Sequence, residues 1–176
     1  LSCSEYFSDV TVGNYVGGVQ CQDVQRLTYP NESFDICTST EVFEHVPNDA
    51  KGFSEIHRVL KPNGVFIFTV PLEIRNKTVE RAKLNSQQEL KHLLEPEYHS
   101  DPIRGHERVL VFRNYGYDIL DRLVKAGFIR AELHSAGCNM AWGYTRPVIV
   151  AYRKNASFNW LNSEQSLIQF QQQSSE

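Results

Sequence analysis

Residues 33–70 read SFDICTSTEVFEHVPNDAKGFSEIHRVLKPNGVFIFTV, and their pattern decides the fold. FDICTS, at 34–39, carries Phe34 and Ile36 and reads as a short strand. Pro47-Asn48-Asp49 then supplies N-cap chemistry for a helix. Ala50, Phe53, Ile56 and Leu60 recur at helical spacing and give that helix one apolar face. Pro62 cannot continue a helix, and Asn63-Gly64 supplies a turn. VFIFTV, at 65–70, is apolar almost throughout, which suits a strand covered on both faces of a parallel sheet. Glu41, Glu44 and His45 follow directly on the first strand. They either decorate an ordinary strand-to-helix joint or form the rim of a binding site.

Upstream, LSCSEYF predicts a short strand ending near Glu5, and GVQCQDV a second ending at Asp23, with the glycine-rich TVGNYVGG as a turn region between them. Downstream, the polar stretch 72–95 reads as helix. PEYHSDPIRGHER, at 96–108, reads as a loop dense in titratable and aromatic groups. YGYDILDRLVKAGF predicts a helix with Ile119, Leu120, Leu123 and Val124 as its core stripe and Gly127 as its C-cap. FIRAELH and PVIVAYR are the last two strands. No helical pattern joins them, so the last strand is expected to be antiparallel. Strands alternating with helices predict an α/β fold with a mostly parallel sheet.

The chain has 176 residues, enough for one domain. A hydrophobic fraction of 41% and a charged fraction of 22% are those of a soluble globular protein. The net charge of −3 argues against nucleic acid as a partner, since no basic excess exists to neutralise phosphates. No apolar run approaches the roughly 18 residues of a membrane span. Cys3, Cys21, Cys37 and Cys138 include no CxxC pair, so no cysteine zinc site is expected, and no metal site is read from the sequence. They read as small buried hydrophobes in a reducing, cytoplasmic setting.

Ligands of such sheets bind outside the carboxyl ends of the strands. Glu5 and Asp23 each close a strand, and Thr38-Ser39-Thr40-Glu41 closes the next. One acid at such an edge can accept both hydroxyls of a ribose, and a second can accept the amino group of an adenine. A row of small hydroxyl side chains leaves room for a ligand to lie across the edge. Taken singly, each acid reads better as a turn or helix cap, and the weight comes from the array of two acids and a Ser/Thr-rich strand end.

Asp23, SFD at 33–35, the Glu44-His45 pair, and Glu55 followed by RVLKPNG at 58–64 together resemble class I S-adenosylmethionine-dependent methyltransferases of the type 11 branch. The resemblance is close over residues 1–71 and looser to about 154. It implies a Rossmann-like methyltransferase sheet with S-adenosyl-L-methionine as cofactor. Glu5 matches the acid that holds the ribose. Asp23 matches the acid near the adenine amino group, with Val24 supplying backbone contact. Thr38, Ser39 and Thr40 border the methionine part.

The family's first strand and G-x-G-x-G loop are expected before Leu1, and VGNYVGG at 12–18 lies in the wrong place to replace them. Residues 1–154 are thus expected to form an N-terminally truncated methyltransferase-like domain, with 155–176 as a polar tail. The acceptor side falls in the insert 72–113, where Tyr98, His99, Asp101 and His106 are candidates and His99 is the first choice as catalytic base. The expected reaction is methyl transfer to a small or cell-envelope acceptor. The alternative is a non-catalytic remnant or interaction module that has lost the cofactor.

Overall fold

The computed structural model describes residues 2–101, 107–134 and 147–153. His106, Cys138 and the predicted tail 155–176 lie outside the described residues. Strand β1 (Ser4–Glu5), β2 (Tyr15–Val16) and β3 (Val19–Cys21) form one small sheet, in which β1 runs parallel to β3 and β2 antiparallel to it. The glycines of the turn region take positive φ at Gly13, Gly17 and Gly18, which is why glycine occupies them.

Strand β4 (Phe34–Thr40), helix α1 (Asp49–Val59) and β5 (Leu60–Thr69) make the expected unit, with β4 and β5 parallel. Asn48 caps α1, its side chain accepting from the Lys51 N–H at 3.0 Å. Lys61-Pro62-Asn63-Gly64 bulges out of the ladder, where the register jumps from Phe34↔Leu60 to Ile36↔Val65. Gly64 is required there: a Cβ would stand 2.8 Å from the Lys61 carbonyl oxygen.

The insert departs from expectation. No helix forms over 72–95. Instead come β6 (Val79–Glu80), β7 (Ala82–Leu84) and β8 (Leu90–His92), the last two an antiparallel hairpin. Asn85 decides this locally, because its side chain accepts from the N–H groups of Gln87 and Glu89, both at 2.9 Å. That folds the chain into a turn in place of a helix. The 96–108 stretch, expected as loop, contributes β9 (Tyr98–Asp101) and β10 (Glu107–Leu110), antiparallel to each other. Strand β11 (Arg113–Asn114) pairs with β6.

Helix α2 (Ile119–Lys125) is shorter than its sequence pattern suggests. Ile119 and Leu123 are fully buried and Leu120 packs against the core, but Val124 is exposed and not part of the stripe. Gly127 has φ of 112°, as expected of the residue that ends the helix. Strands β12 (Arg130–His134) and β13 (Val148–Tyr152) complete a four-stranded sheet in the order β12-β13-β5-β4. Strand β13 is antiparallel to both its neighbours. The other strands all run one way, so the α/β class and the antiparallel last strand are as expected.

The core lies between this sheet and the two helices. Phe43 stacks on Phe53 and Phe66 on Phe68, with centroids 4.4 and 4.3 Å apart. Among the cysteines, Cys21 is buried and Cys37 half-buried, but Cys3 is exposed. Burial pushes the Cys37 thiol up to about 11, so it stays protonated at neutral pH. Among the described residues no helix is long and apolar enough to cross a membrane.

Candidate active site

The parallel pairing of β1 and β3 places Glu5 beside Cys21, and the Gln22 N–H donates to the Glu5 carbonyl at 2.8 Å. Glu5 and Asp23 therefore close neighbouring strands at the same end. Asp23 is half-buried, and its Oδ1 accepts from the Gln25 backbone N–H at 2.8 Å and the Gln25 side chain at 3.2 Å. Gln25 in turn accepts from the Asn48 N–H at 3.0 Å. A chain of hydrogen bonds thus ties the acid after β3 to the start of α1. Val24 packs against the core, over Gly52 of α1.

The loop behind these residues is clamped by two α1 side chains. The Glu55 carboxylate accepts from the Leu27 N–H at 2.9 Å and from Arg58 at 2.7 and 2.8 Å. Arg58 donates to the carbonyls of Leu27 and Tyr29 and to Asn31. Its bond to Glu55 is the main reason the Glu55 carboxyl lies below its usual range. The Glu55 and Arg58 of the sequence pattern are the fasteners of the 27–31 loop.

At the end of β4, Thr38, Ser39 and Thr40 lie opposite Ile67, Phe68 and Thr69 of β5. The pleat exposes Thr38 and Thr40 and turns Ser39 inward. Ser39 Oγ and Thr69 Oγ1 are both buried without a hydrogen-bond partner. Glu41 takes φ of 52° and its N–H donates to the Thr69 carbonyl at 3.0 Å, which turns the chain sharply out of the sheet.

A single 3-10 turn, Phe43–His45, follows. Glu44 is 1% exposed, and neither of its carboxylate oxygens has a hydrogen-bond partner. Burial pushes its carboxyl up to about 7, against the smaller opposing pulls of its own N–H and of Arg113. His45 Nδ1 lies 2.8 Å from the Leu110 carbonyl. A carbonyl only accepts, so Nδ1 carries a proton, and Nε2 is the ring nitrogen turned toward Glu44. That Nε2 is 3.7 Å from Glu44 Oε1. His99, on β9, places Nδ1 at 3.8 Å from the same oxygen and Nε2 at 3.6 Å from Glu97. The two imidazoles meet edge to face at 5.0 Å.

Arg113 holds this turn in place. It is 2% exposed and donates to the carbonyls of Phe43, Val46 and Pro47 and to Glu80. Asp49 lies in the same network, accepting from Tyr115 at 3.0 Å and Arg122 at 2.6 Å. Arg113, Thr69 and the deep burial of Glu44 escape the sequence reading. An arginine inside the apolar run VLVFRNYGY was the available signal for the first. An open groove of about 430 Å³ near Asn48, Lys51 and Arg113 contains none of the predicted site residues. Glu5 belongs to one sheet, with Asp23 two residues past its strand β3, and Thr38–Thr40 to another, and the Asp23–Gln25–Asn48 chain ties the first to the start of α1.

A family described as "Methyltransferase domain" matches residues 4–68. The ubiquinone biosynthesis O-methyltransferase of Coxiella burnetii is 38% identical over 50 residues, covering 28% of this chain and 21% of that protein. A probable S-adenosylmethionine-dependent methyltransferase of Mycolicibacterium smegmatis is 28% identical over 127 residues, covering 68% of this chain and 48% of the relative. The chain thus spans half or less of these relatives. Among solved structures, a Burkholderia thailandensis 1,6-didemethyltoxoflavin-N1-methyltransferase, crystallised with S-adenosylhomocysteine, aligns at a TM-score of 0.48 with 18% identity, over 78% of this chain and 50% of its own. Over residues 4–68 the chain is thus similar to the family described as a methyltransferase domain.

Proposed function

We propose that this chain forms part of an S-adenosylmethionine-dependent methyltransferase that methylates an oxygen of a small or cell-envelope acceptor. The supporting observation is the pair of buried, unpartnered hydroxyls, Ser39 Oγ and Thr69 Oγ1, at the carboxyl edge of β4 and β5. Buried polar atoms are nearly always hydrogen-bonded, and a polar ligand lying across this edge supplies the absent partners.

When bound, the cofactor's sulfonium supplies an already activated methyl group. What remains for the protein is mainly positioning, worth up to about 7–11 kcal/mol of a barrier when reactants are well aligned. Glu5 accepts from the ribose hydroxyls. Asp23 accepts from the adenine amino group, and the Val24 N–H pairs with the ring. Thr38, Ser39 and Thr40 border the methionine portion. His99 stands beside the turn that leaves β4, half-exposed, and serves the acceptor side. The oxygen acceptor is favoured because the Coxiella burnetii relative is described as an O-methyltransferase.

Calorimetry with S-adenosylhomocysteine tests the reading. Asp23→Ala is expected to weaken binding by about 10- to 100-fold, the equivalent of one hydrogen bond to a charged group. Its circular dichroism should match the parent. Equal affinity in the two proteins removes Asp23 from the site.

A further inference from the structure

We propose that Glu44, His45 and His99 form a binding site for one divalent transition-metal ion, of which Zn²⁺ is the best match. One ligand atom from each residue lies within 4.8 Å of the others. Glu44 is almost wholly buried, yet both its oxygens lack a hydrogen-bond partner. The separations from Glu44 Oε1, 3.7 Å to His45 and 3.8 Å to His99, are too long for hydrogen bonds. They suit groups facing a common centre. Tetrahedral zinc, with bonds near 2.0–2.1 Å, sets its ligand atoms about 3.4 Å apart, so small side-chain rotations close the shell.

The outer partners point the same way. A metal-bound imidazole usually donates its other N–H to a carbonyl or carboxylate, which fixes the tautomer. His45 has the Leu110 carbonyl in that place at 2.8 Å, and His99 has the Glu97 carboxylate beside its Nε2 at 3.6 Å, within a small rotation of a hydrogen bond. Two imidazoles and one carboxylate favour zinc, cobalt, iron or nickel over calcium or magnesium. Three protein ligands also leave a position open.

The ion's task, though not its binding, rests on the methyltransferase reading. An acceptor hydroxyl in the open position becomes more acidic and releases its proton to solvent. The oxygen then forms the new C–O bond as the S–CH₃ bond breaks, and the electron pair returns to sulfur to give a neutral thioether. The sequence offers no sign of the trio, because His99 is distant in the chain and reaches the other two only through β9.

Co²⁺ titration of the metal-stripped full chain, followed by visible absorption, tests the inference. The parent is expected to take up one equivalent with the bands of a four-coordinate site, which Zn²⁺ then displaces. Glu97→Gln should weaken uptake by about 10- to 100-fold, the usual effect of losing an outer partner, and His99→Ala and Glu44→Gln by more. His92→Ala, on the exposed β8, should leave it unchanged. Glu44 is buried, so the half-exposed His99 is the deciding variant should Glu44→Gln fold poorly. No uptake by the parent, or equal uptake by His99→Ala, overturns the site. S-adenosylhomocysteine calorimetry on the same sample separates the two ideas. Cofactor binding without Co²⁺ uptake refutes only the metal site, and Co²⁺ uptake without cofactor binding supports the metal site and refutes the function.

Discussion

Ser39 and Thr69 show how a single hydroxyl can carry opposite signs for folding and for binding. Each buries an oxygen without a partner, which costs the fold about 1–3 kcal/mol of desolvation. Ser39→Ala and Thr69→Val remove that cost. Both variants are expected to be as stable as the parent or up to about 1 kcal/mol more stable in urea unfolding, while binding S-adenosylhomocysteine more weakly. Lower stability together with unchanged affinity would show that these hydroxyls have partners within the protein. The strand-end positions of Glu5 and the Thr38–Thr40 row were legible in the sequence, because each ends a strand pattern, while Asp23 lies two residues past the end of β3. Thr69 was not, since nothing in VFIFTV shows which strand residue meets an inward Ser39 until the register is known.

At the scale of elements, the 3-10 turn and the 27–31 loop are each held by an arginine. Arg113 is buried and donates to three carbonyls of the 43–47 segment. Arg113→Met should lower stability by about 3–5 kcal/mol, the usual cost of leaving buried polar partners uncompensated. Denaturant unfolding reads that directly, and a loss under about 1 kcal/mol would show the turn to be self-supporting. The Glu55–Arg58 clamp predicts a pH effect. The folded-state pKa of Glu55 is lowered, so its contribution is present above the unfolded value and is lost as pH falls through the folded one. The pair is partly exposed, which keeps the effect small. Glu55→Gln should flatten the acid limb of a stability–pH curve. A limb as steep as the parent's would assign acid sensitivity elsewhere. The Glu55 and Arg58 positions were visible as part of a family pattern, but their duty as loop fasteners was not. The helix expected over 72–95 failed because Asn85 offers the backbone a local turn, a competition that apolar spacing does not register.

For the molecule as a whole, burial is unevenly shared. Most of the core residues come from α1, α2 and the four-stranded sheet, whereas β7 and β8 leave Leu90, Leu93 and Leu94 exposed at or near their hairpin. Hydrogen exchange should therefore be slowest in β5 and β13 and fastest in β2 and the β7–β8 hairpin. Uniform protection across all of these would contradict the packing. The α/β class and the antiparallel final strand were readable because Phe34–Thr40, α1 and Leu60–Thr69 announce themselves by period and punctuation. The insert was not, because its short strands owe their shape to side-chain contacts distant in sequence, such as Thr78 with Asp118 at 2.7 Å.

The link from Asp23 through Gln25 to Asn48 has a practical corollary. Lys51 is exposed, and its N–H closes the same chain at Asn48. A dye attached at Lys51→Cys sits outside the proposed cofactor edge but shares its mechanical linkage. Its emission is expected to change when S-adenosylhomocysteine is added if that edge takes it up, a readout placed away from Glu5, Asp23 and Thr38–Thr40.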